Sequence, residues 1–136
     1  MRYLNKIVFI NSAAIRYSEV QLDGNIHLIG TQGVGKSTIL RAILFFYNAD
    51  TQRLGIPVEK KAYQDYYFPY ADSSIIYEVA REDGWFTVLS YKTMNRICYR
   101  FIASPYRPDL FIDEEGAPYP SDRIRSVLDK NGIKYS

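Results

Sequence analysis

The alternation of apolar and polar residues predicts strands at the start of the chain. The segments "YLNKIVFI" (3–10) and "AIRYSEVQL" (14–22) are both strand-like, and the small polar pair Asn11-Ser12 separates them. A third apolar segment, "NIHLIG" (25–30), follows the turn signal Asp23-Gly24. We therefore predict an antiparallel hairpin followed by a further strand.

The pattern then changes to a helical period over residues 37–47. Apolar side chains cover most of the circumference of this segment, and Arg41 is the clear polar interruption. A helix that is apolar almost all round is typically buried. Residues 48–70 lose this periodicity, although "VEKKAYQDYY" (58–67) is compatible with a short helix.

Three further strand-like runs occupy the second half of the chain. They are "SSIIYEVARE" (73–82), "GWFTVLSYK" (84–92) and "RICYRFIAS" (96–104). Asp83-Gly84 between the first two is a strong signal for a tight hairpin. These runs predict an antiparallel meander.

The last part of the chain predicts a strand, a helix and the start of another strand. "DLFIDEEG" (109–116) is typical of a fourth strand that ends in a turn. In "SDRIRSVLDKNG" (121–132), Ser121 or Asp122 would cap a helix and Asn131-Gly132 would end it. A new strand would begin in the tail "IKYS".

Composition indicates one globular domain over residues 1–136. Apolar residues make up 47% and charged residues 24%, and the net charge of +2 does not by itself require a nucleic-acid partner. A single cysteine, Cys98, excludes an internal disulfide and fits a reducing compartment. The sequence shows neither a signal-peptide core nor an apolar run approaching the roughly 18 residues of a membrane span. We therefore expect a soluble, cytoplasmic protein without a membrane partner.

The segment between the predicted third strand and the helix fits the phosphate-binding motif G-x-x-x-x-G-K-[ST]. Its glycines allow the backbone to turn N–H groups toward an anion, and the helix start adds a positive dipole end. Lys36 would reach the β- and γ-phosphates, Ser37 would ligate Mg²⁺, and Thr38 would lie near the α-phosphate. The predicted nucleotide-binding set comprises Gly30, Thr31, Gln32, Gly33, Val34, Gly35, Lys36, Ser37 and Thr38.

Hydrolysis would need a second group of residues, for which Asp113 and Glu114 are the candidates. After the apolar "LFI", Asp113 would bind Mg²⁺ and Glu114 would act as base, as in a Walker B strand. Residues 113–116 also fit the D-x-x-G of a GTPase switch. The alternative is an exposed β-turn, for which Asp and Gly are typical. The antiparallel meander before it favours the turn, as does "DKNG" (129–132), which is not the N-K-x-D of a GTPase.

An aromatic patch follows two lysines, Lys60 and Lys61, in the middle of the chain. Aromatic residues beside basic ones can stack on nucleic acid, but such a cluster more often packs a loop onto the protein body. The patch comprises Tyr63, Tyr66, Tyr67, Phe68 and Tyr70.

The stretch "YLNKIVFINSAAIRYSEVQLDGNIHLIGTQGVGKSTILRAILFFY" (3–47) resembles the N-terminal lobe of ABC-type ATPase heads of the SMC, MukB and RecF group. The shared pattern is an apolar first strand ending in Asn, a second strand leading to Leu-Asp-Gly, and a strand entering the phosphate loop. "IIYEVAREDGWFTVLSYKTMNRICYRFIAS" (75–104) is similar to the paired strands of MukB-like proteins, including JetC-type subunits of plasmid-defence systems. Where the family usually has Asn in the loop, this chain has Gln32.

The resemblance implies an α/β P-loop NTPase fold of ABC-ATPase type, with an antiparallel β-meander and a P-loop helix. It implies ATP and Mg²⁺ as ligands. It also implies that Walker B and the signature motif lie in a C-terminal lobe beyond a coiled coil. The chain would then be half of a head, active as an ATPase only with that lobe and a second head, and it would work in DNA organisation, repair or defence. A small Ras-like GTPase and a non-catalytic P-loop binding module are the alternatives.

Overall fold

The computed structural model describes residues 3–13, 15–22, 36–47, 65–93 and 96–136. The strands are β1 (Tyr3–Ser12), β2 (Ile15–Gln21), β3 (Ser74–Arg81), β4 (Gly84–Thr93) and β5 (Arg96–Ile102). The helices are α1 (Lys36–Tyr47), a 3-10 helix (Pro108–Leu110) and α2 (Ser121–Lys130). Residues 65–67 are helical as well, at the end of the segment where the sequence predicts a short helix.

The strands form one five-stranded sheet with the order β2-β1-β3-β4-β5. Every described pair is antiparallel, which confirms both predicted hairpins and the meander. The tight turn between β3 and β4 pairs Arg81 with Gly84. Gly84 has a φ of 138°, a backbone conformation that residues with a side chain rarely adopt. The predicted strand at 25–30 lies outside the described residues.

The sheet is covered on both faces, and each face carries its own apolar cluster. Neighbouring residues of β1 alternate between the clusters, as the two-residue period of a strand requires: Ile7 belongs to one and Val8 to the other. The α1 face packs against Ile39, Ala42 and Ile43 of α1. The α2 face packs against the 3-10 helix, the residue after it, and α2, through Leu110, Phe111, Ile124 and Leu128. The burial predicted for α1 is confirmed by Ile39 and Ala42, which are fully enclosed.

A polar network crosses the sheet at a bulge in β1. The register of β1 against β3 shifts between Leu4 and Lys6, around Asn5. The side-chain amide of Asn5 donates to Oε1 of the buried Glu78 over 2.7 Å, and Oε2 of Glu78 accepts the backbone N–H of Tyr106 over 2.7 Å. Glu78 thereby joins β1, β3 and the segment after β5.

The prediction of a fourth strand at 109–116 is wrong. Pro108 opens the 3-10 helix, and the adjacent residues Leu110 and Phe111 are both buried in the α2-face cluster. Two consecutive buried side chains are incompatible with the alternation that the strand prediction assumed. The chain then turns back, with a single bridge between Ile112 and Pro118.

The helix predicted at 121–132 is present as α2, but its predicted N-cap is wrong. Pro120, with φ of −66°, is the N-cap residue, and no side chain caps the helix, so that Ser121 and Asp122 lie inside the first turn. The end is as predicted, since Asn131 follows the helix and Gly132 takes a φ of 68°. The strand predicted in the tail begins as a bridge between Tyr135 and Ile102 of β5.

Two tyrosines on the α2 face share a hydrogen bond that couples stability to pH. The hydroxyl oxygens of Tyr17 and Tyr106 are 2.8 Å apart, and Tyr17 also donates to Glu19, which pairs with Lys6. Burial raises the pKa of Tyr17 to about 12, and Glu19 adds to the rise while the bond to Tyr106 opposes it. Burial and the bond to Tyr17 raise the pKa of Tyr106 above its usual range.

We expect the free energy of unfolding to fall as pH rises from 10 toward about 12. The unfolded chain loses these phenolic protons near pH 10, whereas the folded chain keeps them, so ionisation favours unfolding only above that pH. Urea unfolding at a series of pH values measures the effect. The fall should be smaller in Tyr17→Phe than in Tyr70→Phe, because Tyr70 is 64% exposed. Equal pH profiles for the two variants would contradict this account.

Candidate functional site at the first turn of α1

The helix α1 begins at Lys36, the lysine of the phosphate-binding motif. The loop residues Gly30, Thr31, Gln32, Gly33, Val34 and Gly35 lie outside the described residues, as do the side chains of Lys36 and Ser37. Thr38 is the member of the predicted set whose side chain the structure describes, and it lies in the first turn of α1. The described part of α1 thus includes the lysine and both hydroxyl residues that follow it in the motif.

Three contacts fix α1 against the sheet and the segment before β3. The hydroxyl of Tyr67 donates to the carbonyl of Thr38 over 2.6 Å, and that of Tyr77 donates to the carbonyl of Ala42 over 3.0 Å. The ring of Phe46 stacks on Tyr77 with centroids 4.3 Å apart. Helix α1 is therefore fixed at Thr38, Ala42 and Phe46, which makes it a rigid element of the fold.

Tyr66 lies directly against the first turn of α1. Its hydroxyl is 3.3 Å from Oγ1 of Thr38, and its ring packs edge-on against Tyr67 with centroids 4.9 Å apart. Tyr67 is fully buried, whereas Tyr66 is 45% exposed. Burial raises the pKa of Tyr67 to about 12 against the opposing charge of Arg41, so that Tyr67 keeps its hydroxyl proton above the pH at which an exposed tyrosine ionises.

The aromatic patch divides into packing and exposed members. Tyr67 and Phe68 are fully buried, which confirms for these two residues the prediction that the patch packs its segment onto the body. Tyr66 and Tyr70 are exposed. Tyr63, Lys60 and Lys61 lie outside the described residues. The tyrosine-rich composition of this segment was the sequence signal for Tyr66, but its contact with Thr38 depends on a tertiary arrangement that no local pattern encodes.

The turn between β1 and β2 adjoins Tyr66 and has an unusual backbone. Asn11 and Ala13 have φ values of 47° and 50°, which lie in the left-handed region. This conformation is unfavourable for any residue that has a side chain. The N–H of Ala13 donates to the carbonyl of Tyr66 over 3.2 Å, and Oγ of Ser73 donates to the carbonyl of Asn11. Within the described residues, Oγ of the buried Ser12 makes no hydrogen bond. The sequence gives no warning of this strain at Ala13.

The structure does not bring Asp113 and Glu114 to the first turn of α1. Oδ1 of Asp113 accepts the backbone N–H groups of Glu115 and Ala117, each over 2.9 Å, so this carboxylate stabilises its own turn. Glu114 is exposed. Leu110 and Phe111, just before this turn, pack on the α2 face, whereas α1 packs on the opposite face of the sheet. In the described part of the chain, no group of three or more His, Cys, Asp or Glu residues is arranged to hold a metal ion.

These observations define an antiparallel five-stranded sheet that carries a motif-bearing helix on one face and a small helical cap on the other. Residues 11–136 match the model of the family DUF3584, whose description is "Protein of unknown function", and the chain belongs to this family. Neither the curated proteins nor the solved structures include one that matches the chain. None of the helices in the described ranges has the length and apolar character needed to cross a membrane.

Proposed function

We propose that this chain is the ATP- and Mg²⁺-binding N-terminal half of an SMC- or MukB-like ABC ATPase head. The observation that carries the proposal is that Lys36, the lysine of the glycine-rich motif, lies on helix α1, which is fixed to an antiparallel sheet. The hairpin β1–β2 precedes this helix in the chain and the meander β3–β5 follows it. This is the order of elements that the sequence resemblance implies.

The proposed chemistry of the site follows from the residue types at the helix start. The first N–H groups of α1 have no partner within the helix, and together with the helix dipole they favour a phosphate. Lys36 neutralises the β- and γ-phosphates, and the Ser37 hydroxyl ligates Mg²⁺. Thr38 lies one residue farther along α1, beside the α-phosphate. P-loop NTPase is therefore the fold class that we propose, although the described strands by themselves are all antiparallel.

The proposed site is incomplete in this chain. In the described residues Asp113, the best carboxylate candidate by sequence, stabilises a turn of a segment that packs on the α2 face. The remaining catalytic groups would come from a C-terminal lobe and a second head, and ATP would bring the heads together. DNA organisation, repair or defence is the setting that we propose for this cycle. The Ras-like alternative is less well supported, because it needs Asp113 at the magnesium ion.

Titration with ATP·Mg²⁺ and GTP·Mg²⁺ tests the proposal. We expect the purified chain to bind ATP, to show no preference for GTP, and to hydrolyse ATP only at the background rate, since the candidate carboxylates Asp113 and Glu114 lie in a turn that follows the α2-face cluster. Asp113→Asn should change neither binding nor the residual rate. Magnesium-dependent hydrolysis that is lost in Asp113→Asn would contradict the half-head proposal, and a clear preference for GTP would favour the switch.

A further inference from the structure

We propose that Tyr66 is a base-binding residue of the nucleotide site and that its ring stacks on the nucleobase. This inference rests on the proposed function, because it takes the start of α1 to be where phosphates bind. It adds a recognition element for the base, for which the phosphate-binding motif makes no provision. Tyr66 lies outside that motif, 28 residues along the chain from Thr38.

The position of Tyr66 is the first argument. Its hydroxyl is 3.3 Å from Oγ1 of Thr38, the residue that the motif places beside the α-phosphate. In a nucleotide the ribose and base extend from the α-phosphate and not from the γ-phosphate. An aromatic ring whose hydroxyl contacts Thr38 therefore lies on the side of the site where the base must lie.

The exposure of the ring is the second argument. Tyr66 is 45% exposed although both residues that follow it are fully buried. The side chain of Tyr66 thus leaves nearly half of its surface accessible. Aromatic faces of this kind stack on nucleobases irrespective of base identity, since every base has a π-face.

The rigidity of the ring is the third argument. Tyr67 supports the ring edge-on, and the carbonyl of Tyr66 accepts the N–H of Ala13 over 3.2 Å. Ala13 is itself held in the left-handed region of backbone conformation. A stacking surface that is fixed before the ligand arrives loses less conformational entropy on binding than a mobile one. Tyr67 is anchored in turn to α1 through the carbonyl of Thr38.

A comparison of ATP with inorganic triphosphate separates base stacking from phosphate binding. Loss of one stacked base–aromatic contact corresponds to roughly a 10-fold loss of affinity. We expect Tyr66→Ala to weaken ATP binding by about that factor and to leave triphosphate binding unchanged. Tyr66→Phe, which keeps the ring and loses the hydroxyl, should bind ATP within about 2-fold of the wild type. Tyr70→Ala is the matched control, because Tyr70 is 64% exposed and bonds through its backbone N–H to Ser73.

Calorimetric titration of the four proteins with both ligands gives distinguishable outcomes. ATP affinity that is unchanged in Tyr66→Ala overturns the stacking role alone. Equal losses for ATP and triphosphate also overturn it, because they would show that Tyr66 positions the first turn of α1 and does not contact the base. A wild-type chain that binds neither ligand overturns the proposed function, and the role of Tyr66 with it. Thermal unfolding of each variant verifies that the fold is retained.

Discussion

Lys36→Ala is expected to lower the affinity for ATP·Mg²⁺ about 100-fold or more, which amounts to loss of detectable binding for a site of ordinary strength. The lysine ammonium group would neutralise phosphate charge in a site that otherwise offers neutral N–H groups and a helix dipole. Its removal leaves those phosphates without their main counter-charge. Lys36 is the first residue of α1, where alanine is a favourable helix former, so we expect the fold to be retained.

The matched control is Lys130→Ala. Lys130 is an exposed lysine in the last turn of α2, and α2 packs on the other face of the sheet from α1. It changes net charge by the same amount as Lys36→Ala without touching the proposed site. Calorimetric titration with ATP·Mg²⁺ should give wild-type affinity for Lys130→Ala, and circular dichroism should give the same helical signal for both variants. Equal affinities in the two variants would remove the phosphate-binding role of Lys36.

The sheet could be predicted from sequence because its signals are local. Each strand of the meander is a short run rich in apolar and aromatic residues, and Asp83-Gly84 specifies the tight turn between two of them. Residues 3–12 alternate less clearly. The reason is that β1 is an interior strand of the sheet and is covered on both faces, so Ile7 and Val8 are both apolar and buried.

The segment 108–119 could not be predicted because tertiary packing overrides its pattern. The sequence "LFI" has the composition of a strand, but Leu110 and Phe111 both enter the α2-face cluster from a 3-10 helix and the residue after it. A short apolar run can form either a strand or a helical turn. The packing partners of the run decide between the two, and the local sequence does not contain that information. The turn at Asp113, by contrast, is the structure that its residues favour. Oδ1 of Asp113 accepts the backbone N–H bonds expected in such a turn.

The candidate site was predictable only in part. The sequence predicts a helix over 37–47, and the structure places Lys36–Tyr47 in α1. The supports of that helix could not be predicted, because Tyr67 and Tyr77 reach α1 from separate segments. Long-range side-chain to backbone bonds of this kind leave no periodic signal in the sequence. The strained turn at Ala13 is hidden for the same reason.

Loss of the Glu78 side chain should strongly reduce the stability of this fold. Its side chain is buried, with 6% of its surface exposed, and it accepts hydrogen bonds from the Asn5 amide and the Tyr106 backbone N–H. Glu78→Ala would leave both donors buried without an acceptor. Asn5 carries the bulge in β1 and also binds the chain after β2, because its carbonyl accepts the N–H of Leu22 over 2.8 Å. The damage would therefore extend from β3 to both neighbouring segments.

We expect Glu78→Ala to lower the free energy of unfolding by about 3 kcal/mol or more, with a fall in melting temperature of roughly 10 °C. Glu78→Gln should lie between this variant and the wild type, because the amide keeps one acceptor oxygen but turns an NH₂ group toward the other donor. Glu114→Ala is the control, since Glu114 is exposed, and it should change stability by less than about 0.5 kcal/mol. Urea unfolding of the three variants measures the series. A loss in Glu78→Ala no larger than that in Glu114→Ala would mean that Asn5 and Tyr106 find other acceptors, and that the sheet does not depend on this carboxyl group.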